Sequence, residues 1–442
     1  MNRDMTEKRV IDHVFAAQSE GMGDRILHQA CRTLLDGLSC IAAGRFQGHD
    51  EPSVRKVLEG GQCTAMGLSE GYSAPSVAYY HASCAQMHDF NDGLITSGEF
   101  GGSYHPGRVI IPVALACGEL VRASGVDLLT AISLGYDIAY SLRWEQNSPP
   151  GPPRPDACAA TLVAGKLLKL DFQQLRNAMS LAEFLSPIKL PKAGYDASAN
   201  HLCYGLIARS AIECAFFARN GISGFGSSFS QTLSKDIHNS DYDGYALSKV
   251  YFKPYPTCRV SHAAIEVVLE QRTKHHFTGD QIRCIYVSVP PRNIYIDKVT
   301  DTKSSVKSCE YSMQYALACA VLDGAVTLDQ FSEHEINREA RHVFGSNKVK
   351  VLKNEKRDLE LRKSSGHYSV RIELNDGQII EEEKTTVYGN PDNPIGDDFL
   401  IDKFLRNAKG YLPFASTVPS FVFEKLVESE NVCELTQLLS GN

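Results

Sequence analysis

Ala74–Met87 (APSVAYYHASCAQM), the five residues His88-Asp89-Phe90-Asn91-Asp92, and Ile110–Arg122 (IIPVALACGELVR) decide how this chain is read. The two outer runs are apolar and each predicts a buried helix. Pro112 is tolerable in the second run only in a first turn, where its missing N–H is not needed. Between the helices the chain carries His88, Asp89, Asp92, Glu99, His105 and Arg108, spaced by glycines and closed by Pro106. A polar connection between two apolar helices is where a compact protein tends to hold binding or catalytic groups. The plainer alternative is a solvated connector whose acids cap helix ends. The density of ionisable groups weighs against it.

Outward from this stretch the pattern stays helical. Leu27, Ala30, Leu34, Leu38 and Ile41 recur at helical spacing between Asp24 and Gly44. Further helices are expected at 52–59, 126–143, 157–169, 172–185 and 201–219, the last stopped by Asn220-Gly221. Asp127 and Asp171 suit caps or first turns. Pro149-Pro150-Gly151-Pro152-Pro153-Arg154-Pro155 predicts a stiff surface loop inside this helical body. After about residue 272 the pattern changes. Gln281–Val289, Lys348–Leu352 and Tyr368–Leu374 alternate like strands, and Asn375-Asp376-Gly377 predicts a hairpin into Gln378–Tyr388. Helices are expected among them at 309–323 and 329–344, and again beyond Pro394 at Asp397–Asn407 and Pro419–Glu428. The expected fold is mainly α with a smaller α+β domain. Residues 1–262 and 393–442 make the all-helical domain, and 263–392 the α+β one.

The bulk numbers fit a globular protein of two domains: 442 residues, 43% hydrophobic and 22% charged. A net charge of −7 without basic tracts gives no reason to expect nucleic acid or a membrane surface. The charged N-terminus lacks a signal peptide's apolar core, and no apolar run approaches the roughly twenty residues of a membrane span. Thirteen cysteines, with no Cys-x-x-Cys spacing and mostly inside apolar helical runs, predict reduced thiols and a cytoplasmic location.

Several motifs fail on inspection. Gly224-Phe225-Gly226-Ser227-Ser228 lacks the third glycine and the preceding strand of a dinucleotide fingerprint. Gly101-Gly102-Ser103 lacks the ending of a phosphate loop, and no Gly-x-Ser-x-Gly elbow anchors a hydrolase triad. His88 and His105 with Asp89 or Asp92 could hold a divalent metal, but no helical His-x3-His spacing supports it, and no metal is expected.

Three separated stretches resemble the MmgE/PrpD family, which includes 2-methylcitrate dehydratase, cis-aconitate decarboxylase and iminodisuccinate epimerase. MHDFND with YHPGRVIIPVALACGE resembles its A-x-DFDDT and HP-[SG]-x-x-x-P-A sequences. Tyr251–Arg259 (YFKPYPTCR) with Ser261-His262-Ala263 is similar to its KPYPxCR…HxA. Tyr311-Ser312-Met313-Gln314-Tyr315-Ala316, leading to Leu322-Asp323-Gly324, looks like its S-x-x-Y-x-x-A…LLDG. The resemblance implies that the α+β domain is a lid over the helical one, that the chain is a homodimer, and that the site lies between the domains without organic cofactor. It also implies a small di- or tricarboxylate as substrate. Asp89, His105, Lys253 and Tyr315 fall on the family's loop acid, HP histidine, KPYP lysine and S-x-x-Y tyrosine. The chain departs from the pattern at Asn91, which replaces a second loop acid, and at Gly93, which replaces threonine. Arg154 stands where many members place a histidine, and Asn200 where they place a cation.

On that resemblance the chain is expected to be a lyase, dehydration being favoured and decarboxylation or epimerisation the alternatives. A non-catalytic carboxylate-binding relative is the reading from another class. Dehydration needs a base, an acid for the leaving hydroxyl and cations for the carboxylates. Asp89 or His105 suits the base, Tyr315 or His105 the acid. Lys253, Arg259, Arg108 and Arg154 suit the clamp, arginine bidentately, with Asn200 and His262 beside the substrate.

Overall fold

Small residues let the helices around Ala74–Met87 come close enough to bury it on nearly every side. The computed structural model describes residues 3–17, 22–48, 50–95, 103–142, 155–185, 197, 199–225, 245–354, 368–384 and 386–441. The helical part comprises α1 (Arg3–Ala16), α2 (Asp24–Gln47), α3 (Glu51–Arg55), α4 (Ala74–Met87), α5 (Gly107–Val121), α6 (Gly125–Ser141), α7 (Pro155–Leu167), α8 (Phe172–Leu185) and α9 (Ala199–Arg219), with a hairpin of β1 (Gly60–Thr64) and β2 (Gly71–Tyr72). Ser73 caps α4 by accepting the Ser76 N–H, and α2, α5 and α9 surround it. A Cβ on Gly205 of α9 would lie 2.1 Å from Ser83 Oγ and 2.7 Å from Tyr79 O. Only glycine permits that approach.

Two expectations about the central stretch need correction. α5 begins at Gly107, before the expected Ile110, so Pro112 lies in the helix interior and cannot donate to the carbonyl of Arg108 four residues earlier. The polar connection is also not loop throughout. β3 (Gly93–Ile95) pairs antiparallel with β4 (Ser103–Tyr104) and with β5 (Val250–Tyr251). This small sheet ties the connection to the segment that carries Lys253. Strands of two or three residues offer no alternation to read. The loop calls at 149–154 lie outside the described residues.

The second part carries β6 (Ile282–Val289), β7 (Val349–Lys353), β8 (Tyr368–Leu374) and β9 (Ile379–Lys384) in the order β7-β6-β8-β9. β6 and β7 are parallel and the other pairs antiparallel. The parallel pair needs a long crossover, which is filled by α11 (Val306–Glu310), α12 (Met313–Leu322) and α13 (Glu339–Lys348), while α10 (His262–His275) precedes β6. The hairpin turn has Gly377 at φ +91°, as Asn-Asp-Gly predicts. The single helix expected at 309–323 is two, because Ser312 accepts the Tyr315 N–H and starts α12 afresh. The helix expected at 329–344 is two short 3-10 turns and α13. α14 (Asp397–Ala408) returns to pack on α2.

Two apolar cores result. One draws mainly on Val10 to Phe252 and Ile395 to Leu439, the other on Cys258 to Val387. The chain is thus mainly helical with a smaller mixed α+β part. All thirteen cysteines are free thiols, and among the described residues no helix is long and apolar enough to cross a membrane.

Candidate active site

His88, Asp89, Asn91, Asp92 and Arg108 of the connection are buried where the two cores meet, with His105 half-buried beside them. α4 ends at His88, whose backbone is extended, and the chain then lays Asp89 against the segment after β5. Lys253 Nζ lies 2.9 Å from Asp89 Oδ1, and donates to the carbonyls of Asp89 at 2.9 Å and Thr257 at 3.2 Å. Burial lifts the Asp89 carboxyl, but the nearby charges of Lys253 and Lys307 outweigh it and hold the group at about 2. Asp89 is therefore an anion at neutral pH and a weak base.

α11 enters from the other core. Glu310, fully buried, accepts from the Asp89 N–H at 3.0 Å and from Lys307 Nζ at 2.9 Å, and its other oxygen lies 2.9 Å from His88 Nδ1. Lys307 also donates to the carbonyl of Gln86 at 3.1 Å, so both side chains plug the end of α4. Burial lowers the pKa of His201, at the start of α9, to about 4 against the pull of Asp50 at 3.5 Å, with Lys307 close by.

His105 and Arg108 come from the entry to α5. His105 Nδ1 is 2.6 Å from the carbonyl of Asp92. Burial, with Lys253 and Arg108 close by, pushes its pKa down to about 3. The ring is neutral at pH 7, its proton sits on Nδ1 facing the carbonyl, and the lone pair sits on Nε2. Arg108 lies flat on Tyr204 at 3.6 Å and donates from Nη1 to Gln86 Oε1 at 2.8 Å. Its buried Nε has no hydrogen-bond partner among the described residues. Beneath, Tyr136 donates to Asp92 Oδ2 at 2.6 Å in space that a Cβ on Gly107 would fill. Burial and the Asp36 carboxylate push Asp92 up to about 7.

Asp89, His105, Lys253, Arg108 and His262 thus fall in one buried neighbourhood. His262 opens α10 with Nε2 3.2 Å from the Thr257 carbonyl, and burial beside Lys253 and Arg259 holds it neutral. Arg259 stacks on Tyr251 at 3.7 Å and donates to Asn390. Asn200 is buried in the first turn of α9, next to His201. Arg154 lies outside the described residues.

Tyr315 is not brought there. It sits in the third turn-position of α12, its ring against Phe331 and His342 in the second core, its hydroxyl donating to the carbonyl of Gln330 at 2.8 Å and accepting from Arg341 at 3.3 Å. Tyr311, ahead of the Ser312 cap, instead feels the charges of Asp89 and Arg108. Burial and Asp89 raise its pKa well above the usual phenol value, so it stays protonated. The cap was the available signal: Ser-x-x at a helix start places Tyr315 inside the helix and Tyr311 outside it. Glu310 and Lys307 were missed because nothing local marks an i,i+3 pair as reaching another domain.

Among the described residues no group of three or more His, Cys, Asp or Glu is arranged to hold a metal ion. What the arrangement can do is bind an anionic group at the guanidinium of Arg108, whose Nε–H is unused among the described residues, and offer a proton from Tyr311.

The chain matches two known family domains over most of its length. Residues 8–232 match the MmgE/PrpD N-terminal domain and residues 255–417 the MmgE/PrpD C-terminal domain, so the chain belongs to the MmgE/PrpD family. Among its relatives, the cis-aconitate decarboxylase of Mus musculus is 27% identical over 369 residues, covering 76% of this chain and 74% of that one. The human cis-aconitate decarboxylase is 26% identical with the same coverage, and that of Aspergillus terreus (strain NIH 2624 / FGSC A1156) is 23% identical over 76% and 75%.

Proposed function

We propose that this chain is a lyase that decarboxylates a small tricarboxylate of the aconitate type, using its own side chains. Family membership and the decarboxylase relatives support a lyase acting on a small carboxylate. The observation that carries the reading is the charge balance of the site. Lys253 pairs with Asp89 and Lys307 with Glu310, whereas Arg108 has no carboxylate at ion-pair distance among the described residues and its buried Nε has no hydrogen-bond partner there. A buried guanidinium is costly unless an anion completes it.

Decarboxylation breaks one C–C bond and releases CO2. The electron pair left on carbon spreads into a neighbouring carboxylate held by cations, and an acid then protonates the carbon. No base is required. Dehydration, favoured on resemblance alone, needs a base to remove a C–H proton. Asp89 at about 2 and His105 at about 3 are both poorly matched to that task at neutral pH. Lys253 has all three N–H groups engaged by Asp89 and Thr257, which leaves the Tyr311 phenol as the proton donor at hand, with Arg108 as the carboxylate clamp.

A homodimer belongs to the same proposal. Phe184, Leu185, Leu206, Phe217, Ile222 and Phe225, on and just after α8 and α9, are all at least 45% exposed.

The test is carbon-13 NMR of the enzyme with labelled cis-aconitate, citrate and methylcitrate in D2O. Release of labelled CO2 with one solvent deuterium on the product carbon supports decarboxylation. A new C=C from a hydroxy acid without CO2 means dehydratase, and deuterium exchange alone means epimerase chemistry. Thermal stabilisation by these acids without turnover means a binding protein, and overturns the lyase reading.

A further inference from the structure

We infer that Lys403, on α14, is a positioning residue that sets the main chain on both sides of the Asp89–Lys253 pair. Lys403 is 2% exposed. Its Nζ donates to Asp36 Oδ1 at 2.7 Å, to the carbonyl of Phe90 at 3.0 Å and to the carbonyl of Lys253 at 3.3 Å. It also lies 3.7 Å over the Phe90 ring. An ammonium has three N–H donors, and these contacts use all of them.

Two of the three acceptors decide the matter. Partnership with Asp36 alone would make Lys403 a buried counter-ion. The carbonyls belong to the residue after Asp89 and to Lys253 itself, which lie on segments far apart in sequence. Lys253 Nζ reciprocates by donating to the carbonyl of Asp89. Two ammoniums therefore cross-link the same two segments, one from within the pair and one from behind it. Asp36 completes the arrangement by accepting from the Asp92 main chain and from Lys403. α14 is held on α2, which carries Asp36, so the terminal segment transmits its position to the site. A displacement of about 1 Å in a reacting group can cost about a hundredfold in rate.

The inference rests on Asp89 and Lys253 being working groups, and the experiment separates the two claims. Lys403→Met alone strands Asp36 and is expected to lower the melting temperature. Asp36→Asn/Lys403→Met removes both charges. It should recover most of that stability, yet keep kcat down by at least about tenfold with KM within about twofold. Hydrogen exchange should be faster than in wild type in peptides spanning 88–92 and 252–257. A double variant with wild-type kcat and wild-type exchange would show that Lys403 only neutralises Asp36, and a single variant that loses neither stability nor activity would overturn the positioning role and the neutralising one together. If wild-type protein turns over no polycarboxylate the lyase reading fails, while the exchange comparison still decides the positioning claim.

Discussion

Lys253 Nζ grips Asp89 twice, at 2.9 Å from the carboxylate and 2.9 Å from the carbonyl of the same residue. Both side chains are almost wholly buried. Removing one partner of such a pair typically costs about 3–5 kcal/mol because the other charge is left uncompensated. Lys253→Met is therefore expected to lower urea-unfolding stability by that order and abolish turnover. Asp89→Asn, which keeps the shape and leaves Lys253 its two carbonyls, should cost less. Equal stability of Lys253→Met and wild type would refute the pairing.

Asp92 gives the protein a pH dependence of definite sign. Its folded pKa is raised to about 7 from the ordinary aspartate value of 3.8. Its contribution is complete below the unfolded value and is lost as pH rises through the folded one. Between about pH 4 and 7 this group alone should make stability fall with rising pH, by at most about 1.4 kcal/mol per unit. Denaturant titrations at several pH values, repeated on Asp92→Asn, check this. The variant should have a flatter profile, and an unchanged one would locate the dependence elsewhere.

The two tyrosines of the third motif should separate cleanly. Tyr311→Phe removes a phenol near Asp89 and should lower kcat by about 10²-fold or more if it delivers the proton, with little change in melting temperature. Tyr315→Phe leaves the carbonyl of Gln330 without that donor and should cost about 1–3 kcal/mol of stability, with kcat retained. The reverse result would restore Tyr315 as the acid.

Arg108→Lys keeps the charge but loses the planar fork and the stacking on Tyr204. A charge-assisted hydrogen bond is worth about 1.5–3 kcal/mol, so kcat/KM should drop roughly ten- to a hundredfold, chiefly through KM. A change confined to kcat would place Arg108 away from the bound carboxylate.

The helical body was legible because its apolar periodicity is strong, and the longer strands because they alternate. Residues of the candidate site were legible where they share a short stretch, as Asp89, His105 and Arg108 do. Tyr315 was misplaced because a single cap, Ser312, decides which of two tyrosines stays outside the helix. Lys307, Glu310 and Lys403 were hidden for another reason. Each reads locally as an ordinary helix-surface charge, and only tertiary packing buries it.

The carboxylate of Glu310 belongs to one core and all but one of its recorded partners to the connection of the other. Pulling the two halves apart would strip it of the His88 ring and the Asp89 amide at once, leaving Lys307 as its companion. The domains are thus latched at the place where they would have to gape, so the molecule should melt as one unit despite having two apolar centres.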